Sequence, residues 1–92
     1  MIVKKRGMIY LARNFGSGYQ EIKFTRKRPD GTFADGTTVE ELLLVLRDKF
    51  YHFQSVNPSE SNEQSIKLLT VILDLCYERL QAKKDSLRDK ES

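Results

Sequence analysis

Ser61–Leu87, SNEQSIKLLTVILDLCYERLQAKKDSL, is the stretch whose reading decides the fold. Apolar residues fall at Ile66, Leu69, Leu73, Cys76, Leu80 and Leu87, with spacings of 3, 4, 3, 4 and 7, and only Lys83 interrupts the row. That is one face of an α-helix about three heptads long. A second row, Leu68, Val71, Ile72 and Leu75, lies on an adjoining face. A short chain can cover one such row from its own residues. Two rows call for another subunit, so the pattern predicts a helix on which the rest of the chain packs and through which copies associate.

The preceding segment predicts a partner for this helix. Thr37 and Thr38 each precede a glutamate by three residues, Glu40 and Glu41, and either pair forms a capping box at a helix start. From there to Gln54, the residues Val39, Leu42, Leu43, Leu46, Phe50 and Phe53 make a core stripe, while Leu44, Val45 and Tyr51 fall on other faces. The link Ser55–Ser59, SVNPS, holds Pro58, which ends the first helix, and Ser59 or Ser61 can cap the second. A link this short makes the two helices antiparallel neighbours. The expected spans are 37–54 and 59–84, with a charged, frayed tail over 85–92.

Upstream the periodicity changes. Met8–Phe15, MIYLARNF, is rich in strand formers, and Gly16-Ser17-Gly18 breaks it. In Tyr19–Arg26, YQEIKFTR, Ile22 and Phe24 alternate with Lys23 and Thr25, so this is a strand with one wet face. The glycine joint suits a hairpin, whose apolar face must rest on a helix because an isolated hairpin is not stable in water. Pro29-Asp30-Gly31-Thr32 and Asp35-Gly36 are turns, and Phe33 is expected to tuck back onto the core. Residues 1–7 read as a loose arm. The fold class is therefore α+β: a single domain in which an N-terminal antiparallel β-hairpin (8–35) packs on a C-terminal antiparallel helical hairpin.

Composition narrows the function. The chain has 92 residues, one cysteine and one histidine. An internal disulfide is impossible, and a Cys/His zinc site within one chain is excluded. Cys76 sits in the apolar stripe as a small hydrophobe. No apolar run is long enough to cross a bilayer, and Met1-Ile2-Val3 followed by Lys4-Lys5-Arg6 is the wrong order for a secretory leader, so a cytoplasmic protein is expected. The net charge of +3 is unevenly spread. Residues 1–30 hold eight cations (Lys4, Lys5, Arg6, Arg13, Lys23, Arg26, Lys27, Arg28) against Glu21 and Asp30, a surplus of six that leaves −3 for the remainder. Phosphates are the natural partners of such a segment, and a solubilising basic edge is the plainer reading.

No catalytic signature is present: no nucleophile elbow, phosphate loop, zinc-binding helix motif or calcium loop. The polar residues of interest ride on the long helix. Asn62 lies in its first turn, where free N–H groups attract anions, although ordinary capping explains it too. Arg79 and Lys83 crowd the other end, where cations also complement the helix dipole. Arg79 borders the apolar seam, so symmetry would repeat it near an oligomer axis, where several copies could clamp one polyanion.

From Tyr19 to Lys84, about two-thirds of the chain, the sequence resembles a known family. Residues 22–50, IKFTRKRPDGTFADGTTVEELLLVLRDKF, are similar to the middle of phage proteins of the first Thoeris anti-defence family, whose helical-hairpin domain is shared with an anti-CBASS sponge family. The matches are Asp30-Gly31-Thr32, Gly36-Thr37-Thr38, Asp48 with Lys49, then Pro58, Asn62, Leu69, Leu73 and Arg79. Leu80 stands where the family has threonine, and Ser59-Glu60-Ser61 where it has Cys-Arg-Glu. The resemblance implies a binding protein, not an enzyme, that needs no cofactor and sequesters a cyclic nucleotide second messenger: a cyclic ADP-ribose isomer or a cyclic oligonucleotide. It also implies homo-oligomers, dimers or hexamers, in the host cytoplasm. Carried over by position, Arg79 grips phosphate near the oligomer axis and Asn62 belongs to the ligand turn. The departures shift the expected contacts toward the strand side, to Phe24, Arg26, Lys27 and Arg28. The alternatives are an oligomeric interaction module with a degenerate pocket, and a non-specific nucleic-acid binder using the basic front third.

Overall fold

A computed structural model describes the backbone of residues 1–91 and the side chains of residues 1–85. The side chains of residues 86–92, Leu87 among them, lie outside the described residues. The chain is α+β: an N-terminal antiparallel sheet followed by a hairpin of two packed helices. It forms two compact units, Met1–Val39 and one that begins at Glu40.

The first unit is a three-stranded antiparallel sheet in the order β1-β2-β3, built from β1 (Ile2–Lys5), β2 (Ile9–Arg13) and β3 (Tyr19–Lys23). β1 corrects the expectation of a loose arm at 1–7 and of a two-stranded hairpin. Ile2 and Val3 pair with Leu11 and Tyr10, adding the third strand that an isolated hairpin lacks. A bulge between Val3 and Lys5 shifts the register, and Gly7, at φ 80°, completes the turn into β2. β2 and β3 run in register from Ile9 opposite Lys23 to Arg13 opposite Tyr19. Val3, Tyr10, Ala12 and Ile22 thus share one face, where Phe24 meets Tyr10 edge to face at 6.0 Å. The Gly16-Ser17-Gly18 joint closes the β2–β3 hairpin, with the Asn14 N–H donating to the Gly18 carbonyl at 2.9 Å.

Beyond β3 the chain folds back on itself. Two-residue strands β4 (Arg26–Lys27) and β5 (Phe33–Ala34) pair around the Pro29-Asp30-Gly31-Thr32 turn. The Asp30 carboxylate accepts from the Thr32 hydroxyl (2.6 Å) and the Thr32 N–H (2.9 Å). Those two donors, the hydroxyl first, hold its pKa below the ordinary carboxylate value. Phe33 does not tuck inward: it is 62% exposed, because its ladder position opposite Lys27 holds it in this outer ribbon. At Gly36 the chain crosses the end of β3. Thr37 bridges Phe24 in parallel, and an added Cβ at Gly36 would lie 2.5 Å from backbone atoms of Phe24 and Thr25.

The second unit is the helical hairpin, α1 (Val39–Val56) and α2 (Glu60–Glu91). Thr38 takes the N-cap position of α1, with Glu41 at the third helical position. Thr37 is instead spent on the backbone bridge. Ser59 caps α2, its hydroxyl accepting from the Asn62 N–H at 3.1 Å. Three cross-helix contacts set the antiparallel register. Gln54 donates to Glu63 (3.5 Å), Arg47 to Thr70 (3.2 Å) and Arg79 to Glu40 (3.5 Å), so steps of seven down α1 match steps of seven and nine up α2. α2 runs past the expected end at 84 to Glu91. No glycine or proline interrupts 81–91, and Gln81 donates to Asp85 one turn on, at 3.1 Å.

Inside the hairpin, Leu73 is 1% exposed and is the one fully buried side chain among the described residues, flanked by half-buried Ile66, Leu69 and Cys76. These are four of the five residues of the 3-4-3-4 row; the fifth, Leu80, is 38% exposed. The second α2 row is open: Leu68 is 62% exposed, Val71 54%, Ile72 43% and Leu75 58%. Among the described residues, no helix is long and apolar enough to cross a membrane.

Candidate functional site

At the closed end of the hairpin the last turns of α1 and the first turn of α2 flank an open depression of ≈ 510 Å³. Lys49, His52, Phe53 and Val56 reach it from α1, Asn57 and Ser59 from the link, and Asn62 from α2. Positions 49, 52, 53 and 56 recur at helical spacing, so they line one side of α1. Phe53 stands edge to face against Phe50, ring centres 5.6 Å apart, and is 41% exposed. The Lys49 ammonium sits 5.2 Å from the centre of that ring, a cation–π contact.

Local hydrogen bonds set the opposite wall. Pro58 ends α1, and the Ser59 N–H donates to the Gln54 carbonyl oxygen of its side chain at 3.0 Å. Asn62 donates its side-chain amide to the Asn57 carbonyl at 3.2 Å. One amide hydrogen and the amide oxygen of Asn62 are left for a ligand. The depression thus combines an aromatic ring, a cation, an imidazole and a hydrogen-bonded amide beside a helix N-terminus. Its volume lies in the range of small-molecule sites. Such a set can stack a base, pair with a phosphate and read a base or ribose edge.

The residues expected from the sequence fall into three places. Asn62 is on the wall of this depression. Arg79 lies seventeen residues further along α2, about 25 Å along the axis, with Lys83 one turn beyond. One chain therefore does not bring Asn62 and Arg79 to one site. The Arg79 guanidinium reaches Glu40, at the start of α1, while remaining largely exposed. Phe24, Arg26, Lys27 and Arg28 belong to the first unit and have local partners or positions. Phe24 packs on Tyr10, Arg26 reaches the Met8 sulfur at 3.4 Å, Arg28 reaches the Thr32 hydroxyl at 3.4 Å, and Lys27 pairs with Phe33 in the ribbon.

The sequence reading missed Lys49 and His52 as a pair with Phe53. The available signal was their common side of α1 in the turns just before Pro58. No group of three or more metal-ligating side chains is assembled among the described residues. Comparison with protein families, with curated proteins and with solved structures gave no match.

Proposed function

We propose that this chain is a phage-encoded anti-defence protein that captures a cyclic nucleotide immune signal, a cyclic ADP-ribose isomer or a cyclic oligonucleotide, and holds it without cleaving it. The observation that carries the reading is the depression walled by Lys49, His52, Phe53 and Asn62. A nucleobase stacks on the Phe53 ring. Lys49, already poised over that ring, neutralises a phosphate, and Asn62 supplies directional hydrogen bonds. The matches at Pro58, Asn62 and Arg79 to the anti-defence family support the same reading. Capture is stoichiometric, so no general acid or nucleophile is required, and the working form is a homo-oligomer in the cytoplasm of the infected cell.

The test is a panel of cyclic ADP-ribose isomers and cyclic oligonucleotides. Thermal shift reports binding, and chromatography of the ligand released by denaturation reports its integrity. The proposal expects a shift with one class of ligand and recovery of that ligand intact. No shift with any member refutes capture, and altered ligand makes the protein an enzyme.

A second reading is favoured by the first unit. Of its eight cations, Lys4 forms an ion pair, with Glu21 at 3.6 Å, and no other ion pair occurs in that unit among the described residues. Such an uncompensated field suits a nucleic-acid backbone. Affinity that falls steeply with salt and ignores sequence would favour this reading over a pocket.

A further inference from the structure

The first unit gathers cations that lie far apart in the sequence. Lys5 stands opposite Ile9, and Ile9 opposite Lys23, so both lysines close the same end of the three-stranded sheet. Arg6 follows in the turn between β1 and β2. The Phe24 N–H donates to the Met8 carbonyl at 2.7 Å, which ties that turn to the chain leaving β3. Arg26 then reaches the Met8 sulfur at 3.4 Å, with Lys27 and Arg28 next in the ribbon. Six cations, Lys5, Arg6, Lys23, Arg26, Lys27 and Arg28, thus lie at one end of the unit. All six are exposed, and none is in an ion pair among the described residues. The acids of the ribbon are Asp30, whose carboxylate is held by Thr32, and Asp35. Arg13, opposite Tyr19, marks the far end of the sheet.

The ribbon adds an aromatic ring to this charge. The Arg28 N–H donates to the Thr32 carbonyl at 2.7 Å, so Arg28 and Thr32 are a hydrogen-bonded pair. Alternation along an antiparallel ladder then makes Lys27 and Phe33 the non-bonded pair, whose side chains stand closest, on one face of the ribbon. The turn fixes this register: Gly31, at φ 90°, donates its N–H to the Arg28 carbonyl at 3.0 Å. Phe33 is 62% exposed. Burial does not use this ring, and no carboxylate among the described residues uses this lysine.

We infer that this end of the first unit binds single-stranded nucleic acid, with a base stacked on Phe33 and neighbouring phosphates neutralised by Lys27, Arg28 and the Lys5–Arg6 turn. A duplex keeps its base faces inside the stack and gives Phe33 nothing, whereas every unpaired base offers a face. An anionic membrane would suit the charge. The other exposed apolar side chains of the sheet and its hairpin tip, Met1, Ile2, Phe15 and Tyr19, lie toward the opposite end, near Arg13. Phe33 therefore lacks the apolar neighbours of an interfacial anchor. Stacking and backbone neutralisation accept any base, so the selectivity is for strand state and not for sequence. Single-strand binding rests on the nucleic-acid reading of this unit and is independent of capture at the helical hairpin.

Fluorescence anisotropy of the full chain with labelled oligothymidylate, and with a duplex of equal length, tests the site. Oligothymidylate binds tighter than the duplex by about fivefold or more. Phe33→Ala removes that preference and leaves duplex affinity unchanged, and Phe33→Trp keeps it. Lys27→Ala and Arg28→Ala each lower the salt slope of oligothymidylate binding by about 0.7, while Arg13→Ala, at the far end, leaves it unchanged. Equal affinity for the two nucleic acids, or a preference that survives Phe33→Ala, overturns the single-strand site while the backbone reading of the unit stands. A loss in Arg13→Ala as large as in Arg28→Ala overturns its placement. No binding of either nucleic acid at low salt overturns the site and the backbone reading together. Phosphatidylserine vesicles that take the chain from oligothymidylate make the surface a membrane site and overturn the proposal.

Discussion

Gly36 is where one added carbon tests the first unit most sharply. The chain passes over the end of β3 there, and a Cβ would sit 2.5 Å from the carbonyl carbon of Phe24 and the nitrogen of Thr25, and 2.8 Å from the Lys23 oxygen. All three are backbone atoms, so no side chain can swing aside. Ordinary contact begins at 3.4 Å, and one strand must therefore move by roughly 0.9 Å. That motion pulls at two bonds that flank the glycine, the Thr25 N–H to the Thr37 carbonyl and the Thr37 N–H to the Lys23 carbonyl, both 2.8 Å. Losing both costs about 1–3 kcal/mol at about 0.5–1.5 each. Overpacking adds about 1–3 kcal/mol. The stiffer unfolded chain returns about 0.4–1 kcal/mol. Gly36→Ala should thus destabilise the crossing by about 1–5 kcal/mol, which speeds exchange of the Thr25 and Thr37 amides by about fivefold or more. Amide hydrogen exchange followed by NMR reads this directly. Unchanged protection at both amides would refute the close approach.

Three further outcomes are expected. Leu73→Ala, which empties the one fully buried position among the described residues, should cost about 2–5 kcal/mol in urea unfolding followed by helical circular dichroism. Ser59→Ala removes the acceptor for the Asn62 N–H and should cost about 1 kcal/mol in the same assay, with Ser59→Gly costing only a few tenths. Asp30 is held below its ordinary pKa by the Thr32 hydroxyl and N–H, so its contribution to the β4–β5 turn is present above the unfolded-state pKa and is lost as pH falls through the lower folded value. The Thr32 amide resonance should follow that acid titration, and Asp30→Asn should abolish it.

Much of the architecture could be read from residue spacing, and the exceptions share a cause. The 3-4-3-4 row from Ile66 to Leu80 announced α2 because a buried helix face leaves a strict period, and Leu73 at its middle is the buried residue. Thr37 or Thr38 and Ser59 or Ser61 mark the two helix starts because capping chemistry is local, and the fold uses Thr38 and Ser59. β1 was hidden: Ile2 and Val3 are too few to show alternation, the bulge before Lys5 breaks it, and Lys4-Lys5-Arg6 resembles a solvated arm. β4 and β5, two residues each, carry no period at all, which is why Phe33 was placed inside. The candidate site divides similarly. Asn62 was legible from its place in the first turn of α2. Lys49 and His52 were not, because a cation and an imidazole on a helix look like ordinary solvated positions until Pro58 turns α2 back beside them. The separation of Asn62 from Arg79 follows from helix rise alone, and it makes a second copy a requirement for any site that uses both.

The central claim is that a cyclic nucleotide seats in the depression at the closed end of the helical hairpin. Backbone amide shift mapping during titration with the cyclic ADP-ribose isomer or cyclic oligonucleotide that gives the largest thermal shift tests it most directly. The account predicts saturable shifts clustered at Lys49–Phe53 and Ser59–Asn62, lost in Phe53→Ala. Shifts confined to Phe24–Arg28 would contradict it, as would none at any residue.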